Sequence, residues 1–186
     1  IRLCIFSSFI ITVFIMCFFF KTKDNYKNNI HLYLADFTKS LNVKTAREVF
    51  NDIYKYKKWG DGSPSGPGSE IKNSLPYIEL LNEFVKNNNI KSITDLGCGD
   101  FNIMSHTSFI NDVDYYGIDA SNDMIERNKK LFSNRHNLHF QQGDISSINL
   151  PNTDLVIIKD VLQHLPDDFI TKTLKNIDNY KYVIIV

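Results

Sequence analysis

The sequence predicts an α/β fold with a parallel sheet covered by helices, and three observations carry that prediction. First, the run Ser92-Ile93-Thr94-Asp95-Leu96 breaks into Gly97-Cys98-Gly99-Asp100-Phe101, a buried strand ending in a tight turn. Second, three more short apolar runs end in acids: Tyr115 to Asp119, Leu138 to Asp144, and Asp154 to Asp160. Third, the segments between them repeat apolar residues every three or four positions, so helices alternate with strands.

The elements follow in chain order. Leu3 to Phe20 holds no charged side chain, and at about 1.5 Å per residue a helix there crosses most of a ~30 Å hydrocarbon core. This predicts a transmembrane or signal anchor over residues 1–20. The rival, a cleaved signal peptide, lacks small residues at a cleavage site before Lys21-Thr22-Lys23. Lys21, Lys23 and Lys27 against Arg2 alone place the following domain in the cytosol, as a single-pass membrane protein. Residues 21–44 read as a polar tether.

Residues 45–89 read as a helical extension. Val49, Phe50, Ile53 and Tyr56 mark an amphipathic helix that ends near Trp59. Gly60 to Ser69 is a dense run of chain breakers, either a flexible linker or a shaped loop. Ser74 reads as the N-cap of the next helix, with Pro76 in its first turn and Ile78, Leu80, Leu81, Phe84 and Val85 inward. Asn87-Asn88-Asn89 ends it.

Residues 90–186 read as the ligand-binding domain. The first strand leads to a short helix around Ile103 to Ile110 and then to the second strand. Ser121 caps a helix whose Met124, Ile125, Asn128, Leu131 and Phe132 share one face. Ile145 to Asn152 is loop after the third strand, and Leu155 to Ile158 is apolar throughout, as a strand covered on both faces is. Pro166-Asp167-Asp168 starts a helix with Phe169, Ile170, Leu174 and Ile177 inward, followed by a fifth strand from Tyr182 to Val186.

Gly97 and Gly99 can adopt backbone angles closed to other residues and let a ligand approach the main chain. Asp119, twenty residues after Gly99, stands where an acid meets ribose hydroxyls in a nucleotide site. Composition constrains the partners. Of 186 residues 43% are hydrophobic and 23% charged, an ordinary globular balance with one domain's core, and the formal charge is zero, which does not favour a nucleic-acid partner. Three cysteines form no disulfide framework; Cys98 is either a reactive thiol or a small filler of the turn.

In these residues the chain resembles the class I S-adenosylmethionine-dependent methyltransferases, over roughly residues 45 to 186. The resemblance implies a Rossmann-like sheet of order 3-2-1-4-5 with helices on both faces, lacking at its C-terminus the sixth and seventh strands, and S-adenosylmethionine as cofactor. It implies that Asp95, Gly97 and Gly99, with Cys98 between the glycines, lie along the cofactor's methionine part, that Asp119 holds the ribose hydroxyls, and that Ala120 beside it contacts the cofactor. Met124, Asp144 and Ile145 contact the adenine, and Lys159 to His164 lie beside the methyl group, Lys159 toward the cofactor and Asp160 toward the substrate. The family's third glycine is replaced by Phe101, so the close helix–strand packing that glycine allows is not carried over. A narrower subfamily has an aromatic there and, upstream, Trp-Gly followed by Ser-Gly-x-Gly-Ser; this chain has Trp59-Gly60 and Ser65-Gly66-Pro67-Gly68-Ser69. By that likeness the breaker run is a loop over the cofactor with Trp59 at its hinge, and Ser65, Gly66 and Gly68 face the site.

Methyl transfer needs the acceptor in line with the methyl group, and a hydroxyl or ammonium acceptor also needs a base. His164 is the candidate base; its alternative is packing in the turn. A small-molecule or glycan- or lipid-linked acceptor is expected from the anchor and the neutral charge. His136 and His139 are three apart without further ligands, so no metal is expected. A nicotinamide oxidoreductase would need glycine where Asn102 stands. The remaining alternative is a membrane-tethered adaptor that binds the cofactor without turnover.

Overall fold

The apolar runs become five strands in a computed structural model of the protein, which describes residues 45–186. The apolar run at residues 3–20 and the tether at 21–44 lie outside the described residues. Among those described, no helix is long and apolar enough to cross a membrane. In chain order the elements are α1 (Ala46–Lys55), α2 (Ile71–Asn87), β1 (Ser92–Leu96), α3 (Asn102–Ser105), β2 (Asp114–Asp119), α4 (Asn122–Leu131), β3 (Leu138–Gln142), β4 (Leu155–Ile158), α5 (Asp167–Asn176) and β5 (Tyr182–Ile185). Short 3-10 turns cover Pro67–Ser69 and Leu162–His164.

All four strand pairings are parallel and the order is β3-β2-β1-β4-β5, as expected. The order reverses between β1 and β4, which leaves a crevice at their carboxyl ends. Residues alternate across the sheet. Ile93, Tyr115, Leu138, Phe140, Leu155 and Ile157 meet Leu81 and Val85 of α2 and Ile125 of α4 on one face. Leu96, Ile118, Val156 and Ile158 meet Ile145, Ile177 and their neighbours on the other.

Local chemistry sets the helix starts. Thr45 caps α1 in a reciprocal box with Glu48, a signal not used in the sequence reading. The helix α2 begins at Ile71, not at Ser74; Ser74 is buried and its hydroxyl donates to the Gly68 carbonyl at 2.7 Å, so it ties the helix to the preceding loop. Pro76 therefore lies inside the helix rather than in its first turn. Leu80, Leu131 and Leu174, expected inward, are exposed. The helix expected over 103–110 is a single turn, because Thr107 and the residues after it leave the helical path. Ser121 caps α4 as expected, accepting from the Met124 amide at 3.3 Å. The third strand stops at Gln142, two residues short of Asp144.

Candidate functional site

The glycine turn after β1 is bonded to the end of β2. Gly97 and Cys98 both donate their amides to the Ile118 carbonyl, at 2.7 and 3.1 Å. Gly97 (φ 83°) and Gly99 (φ 52°) are left-handed. A Cβ at Gly97 would run into Val161, and one at Gly99 into the Ser65 hydroxyl, so both positions demand glycine for space as well as for φ.

Asp119 closes the unit. It accepts the amide of Gly99 on Oδ2 at 2.9 Å and the amide of Ser121 on Oδ1 at 2.7 Å. Burial raises its pKa to about 6 despite these two donors, which favour the charged form. Asp95, beneath the turn, accepts the Tyr115 hydroxyl at 2.6 Å and is likewise lifted to about 6 by burial. Burial, with the Asp119 and Asp95 carboxylates, pushes the Cys98 thiol up, so a thiolate is disfavoured and Cys98 acts as a filler of the turn.

The missing third glycine has a structural answer. Phe101 takes the left-handed conformation itself, at φ 62°. Its ring is buried among Tyr115, Phe132 and Phe140, with centroids 4.9, 4.9 and 5.2 Å away. Aromatic packing thus offsets the backbone strain that a glycine would avoid.

The breaker run is a docked loop. The Ser63 hydroxyl donates to Asp100 Oδ2 at 2.8 Å, and the Asp100 amide donates to Ser65 Oγ at 3.0 Å. Asn102 Nδ2 donates to the Ser69 carbonyl at 2.8 Å, and Lys159 Nζ to that of Gly68 at 3.1 Å. The linker alternative does not describe a segment held at four points. Trp59 packs at its base, 5.5 Å from Tyr54 and 5.4 Å from the His164 ring.

Together these parts enclose a cleft of about 330 Å³. Of the residues singled out in the sequence, Gly97, Asp119, Ala120, Asp144, Ile145, Lys159, Asp160 and His164 line it from the strand ends, and Trp59, Ser65, Gly66 and Gly68 from the loop. Asp95, Cys98 and Gly99 line instead an adjoining chamber of about 50 Å³. Met124 lines neither; its amide serves the Ser121 cap. His164 is exposed at the mouth, against Trp59.

As site residues, the sequence reading did not single out Phe50 and Tyr54 of α1, Phe169 of α5 or, by name, Gln163, all in the cleft wall, nor Tyr77 of α2 in the chamber. Phe50 and Phe169 carried a signal as parts of the apolar stripes of α1 and α5, and Gln163 lies within the Lys159 to His164 segment that the resemblance placed beside the site; tertiary packing decides Tyr54 and Tyr77. Among the described residues no group of three His, Cys, Asp or Glu side chains is placed to hold a metal ion.

Residues 93–180 match the family model of a methyltransferase domain. No curated protein matches the chain. Among solved structures, the methyltransferase domain of a bacterial CtHen1 protein aligns with a TM-score of 0.51 at 20% identity, over 59% of this chain and 63% of that one. A putative S-adenosyl-L-methionine-dependent methyltransferase from Methanococcus maripaludis aligns at 0.47 and 19% identity, over 59% and 53%. PKMT2 from Rickettsia typhi, in complex with AdoHcy, aligns at 0.42 and 20% identity, over 47% and 18%. The chain spans less than two thirds of the length of each. The CtHen1 likeness supports the fold, and the family match bears out the resemblance to methyltransferases.

Proposed function

We propose that this chain, whose residues 93–180 carry the methyltransferase-domain match, binds S-adenosylmethionine over the ends of β1, β2 and β4 and catalyses methyl transfer to a small acceptor. The observation that carries the reading is that Gly97-Cys98-Gly99 and Asp119 form one hydrogen-bonded unit opening on the cleft.

The residues present fit such a cofactor. The cleft lies at the low end of the usual range for small-ligand sites, roughly 300–1,000 Å³. Asp119 keeps acceptor capacity for ribose hydroxyls beyond its two amide donors, since a carboxylate offers about four lone-pair sites. Ala120, Asp144 and Ile145 form the wall beside it for the adenine. In the adjoining chamber the buried Tyr77 hydroxyl has no hydrogen-bond partner among the described residues, a polar group suited to a ligand atom.

When bound, S-adenosylmethionine supplies an electrophilic methyl group on a sulfonium. The chain's own residues then position and deprotonate. Trp59, Phe50 and Tyr54 wall the cleft with aromatic faces and exclude water. Val161 and the loop at Gly66 and Gly68 complete the wall of the cleft. His164, at the mouth against Trp59, would take the proton of a hydroxyl or ammonium acceptor. Most of the rate in such a displacement comes from alignment, so His164 is the smaller contributor.

The acceptor is inferred to be a small molecule, free or linked to a glycan or lipid, because the chain's formal charge is zero and the cleft mouth is aromatic. We further infer, from the sequence of residues 3–20 alone, that the domain is tethered to a membrane with the domain on the cytosolic side; removing residues 1–20 should then abolish flotation with lipid vesicles. The catalytic reading is tested by incubating the full chain with methyl-tritiated S-adenosylmethionine and a cell extract, then separating aqueous small-molecule, lipid and macromolecular fractions. Label is expected in one of the first two fractions and absent with Asp119→Ala. Label confined to protein or nucleic acid would overturn the acceptor class, and binding without transfer to any fraction would favour the adaptor.

A further inference from the structure

Lys55, Lys57 and Lys58 are exposed around Tyr56 at the end of α1, and Lys55 Nζ lies 5.4 Å from the centroid of the Tyr56 ring. At 62% exposure Tyr56 is the most exposed large hydrophobic side chain among the described residues. Val49, seven residues earlier and therefore on the same helix face, is 39% exposed. Phe50 and Tyr54, on the neighbouring face of α1, line the cleft, whereas Val49 and Tyr56 do not. An apolar stripe with three lysines at its end thus lies beside the cleft with nothing packed on it.

The turn that presents these lysines is fixed. The amides of Lys57 and Lys58 donate to the Tyr54 and Ile53 carbonyls at 3.3 and 3.0 Å, and the Gly60 amide donates to the Lys57 carbonyl at 2.9 Å. Lys57 takes the left-handed conformation at φ 48°, where a glycine would be unstrained. Trp59 follows Lys58 directly and lines the cleft, so the lysines stand on its rim. The nearby acids do not cancel them. Glu48 is held in the Thr45 cap at the far end of the helix, Asp52 is partly buried, and the pair of Lys57 with Asp61 at 3.6 Å is exposed on both sides and therefore weak. Across the cleft Asp160 lies in the wall, and Asp167 and Asp168 start α5 beside Phe169, so the α1 rim is the basic side of the mouth.

We propose that this rim, Val49 and Tyr56 with Lys55, Lys57 and Lys58, docks on the surface of an anionic lipid bilayer. Each lysine gains from the negative potential of such a surface, and a phenol with an apolar body and a polar tip suits the level of the headgroups. Val49 adds an apolar contact that a purely ionic partner would leave unused. A nucleic-acid strand asks for a long basic track, and the chain's formal charge is zero. Docked in this way, the cleft opens at the plane of the headgroups and its acceptor arrives from the membrane surface. That consequence rests on the methyl-transfer reading above; the docking does not. Neutral lipid gives the lysines no such gain, so flotation with neutral vesicles reads residues 1–20 and not the rim.

Trp59 is the chain's one tryptophan, so its emission reports on the rim directly. The full chain is mixed with vesicles of phosphatidylcholine alone or of phosphatidylcholine with phosphatidylserine, each carrying a lipid spin-labelled near the headgroup as a contact-range quencher. Trp59 emission should be quenched on the anionic vesicles, recover in high salt, and stay unquenched on the neutral ones. Lys55→Gln with Lys58→Gln should raise the lipid concentration for half-quenching at least about tenfold, and Tyr56→Ser should raise it several-fold. Quenching that is equal on both vesicles, absent on the anionic ones or unchanged in the double variant overturns the docking. Relief by inorganic phosphate at matched ionic strength overturns it too, by assigning the lysines to a free anion. The quenching is read without cofactor, so a failure of the wild-type chain to bind S-adenosylmethionine overturns the cofactor reading and leaves the docking standing.

Discussion

Gly99 donates its amide to Oδ2 of Asp119 across 2.9 Å, so the tip of the glycine turn and the end of β2 are fixed by one carboxylate. The same carboxylate holds the Ser121 amide at the start of α4. A residue read from sequence as a ligand for ribose is thus also the tie between two loops of the site.

Asp119→Ala should therefore cost stability as well as binding. It leaves the Gly99 and Ser121 amides without their acceptor, a loss of about 2 kcal/mol, and Asp119→Asn should recover part of it through its one remaining acceptor oxygen. Urea unfolding of the three proteins at about pH 4, below the Asp119 pKa of about 6 so that little buried charge is relieved by the substitution, measures this; equal midpoints would show that the carboxyl group does not hold the turn.

Asp95 makes stability depend on pH. Burial lifts its pKa from 3.8 to about 6, so the folded state holds the proton more tightly than the unfolded one. That stabilisation is full below about pH 4 and is lost as pH rises through about 6. Asp95→Asn carries no charge to bury and still offers an acceptor to Tyr115. Relative to wild type it should gain about 2 kcal/mol between pH 4 and pH 8, read as diverging urea midpoints. Parallel profiles would contradict it.

Phe101 should invert the usual ranking of alanine over glycine. Both substitutions remove the ring from Tyr115, Phe132 and Phe140, at a cost of roughly 3–5 kcal/mol for Phe101→Ala. At φ 62° glycine is unstrained and alanine is not, so Phe101→Gly should be the more stable of the two by about 1 kcal/mol. Thermal unfolding of the pair decides it.

Gly97→Ala should be destabilised by strain at φ 83° and by collision with Val161. Adding Val161→Ala removes the collision and leaves the strain, so the double variant should regain part of the loss, about 1 kcal/mol. Additive losses would mean that Val161 moves aside freely.

How much of this was legible follows from where the signals live. Gly97, Gly99 and Asp119 announce themselves because a tight turn and a carboxylate at a strand end use residue types with few other uses. The strand runs are legible by apolar continuity, and the order of the sheet only through the family resemblance. The docking of residues 60–69 was legible only through the subfamily likeness, and its anchor points were not: Ser63, Ser65 and Asn102 are ordinary loop residues until the fold brings them to Asp100 and Ser69. Ser74 looked like a cap because its type suits one, yet the chain uses its hydroxyl for Gly68. Tyr54 and Tyr77 sit on helical stripes, where a phenol aimed at a site looks the same as one packed in a core.

The most direct measurement is calorimetric titration of the wild-type chain and of Asp119→Ala with S-adenosylmethionine, with NAD as the control ligand. The account predicts saturable one-to-one binding of S-adenosylmethionine to the wild type, at least tenfold weaker in Asp119→Ala, and no binding of NAD. Absence of S-adenosylmethionine binding by a folded wild-type chain, or undiminished binding by Asp119→Ala, would contradict it.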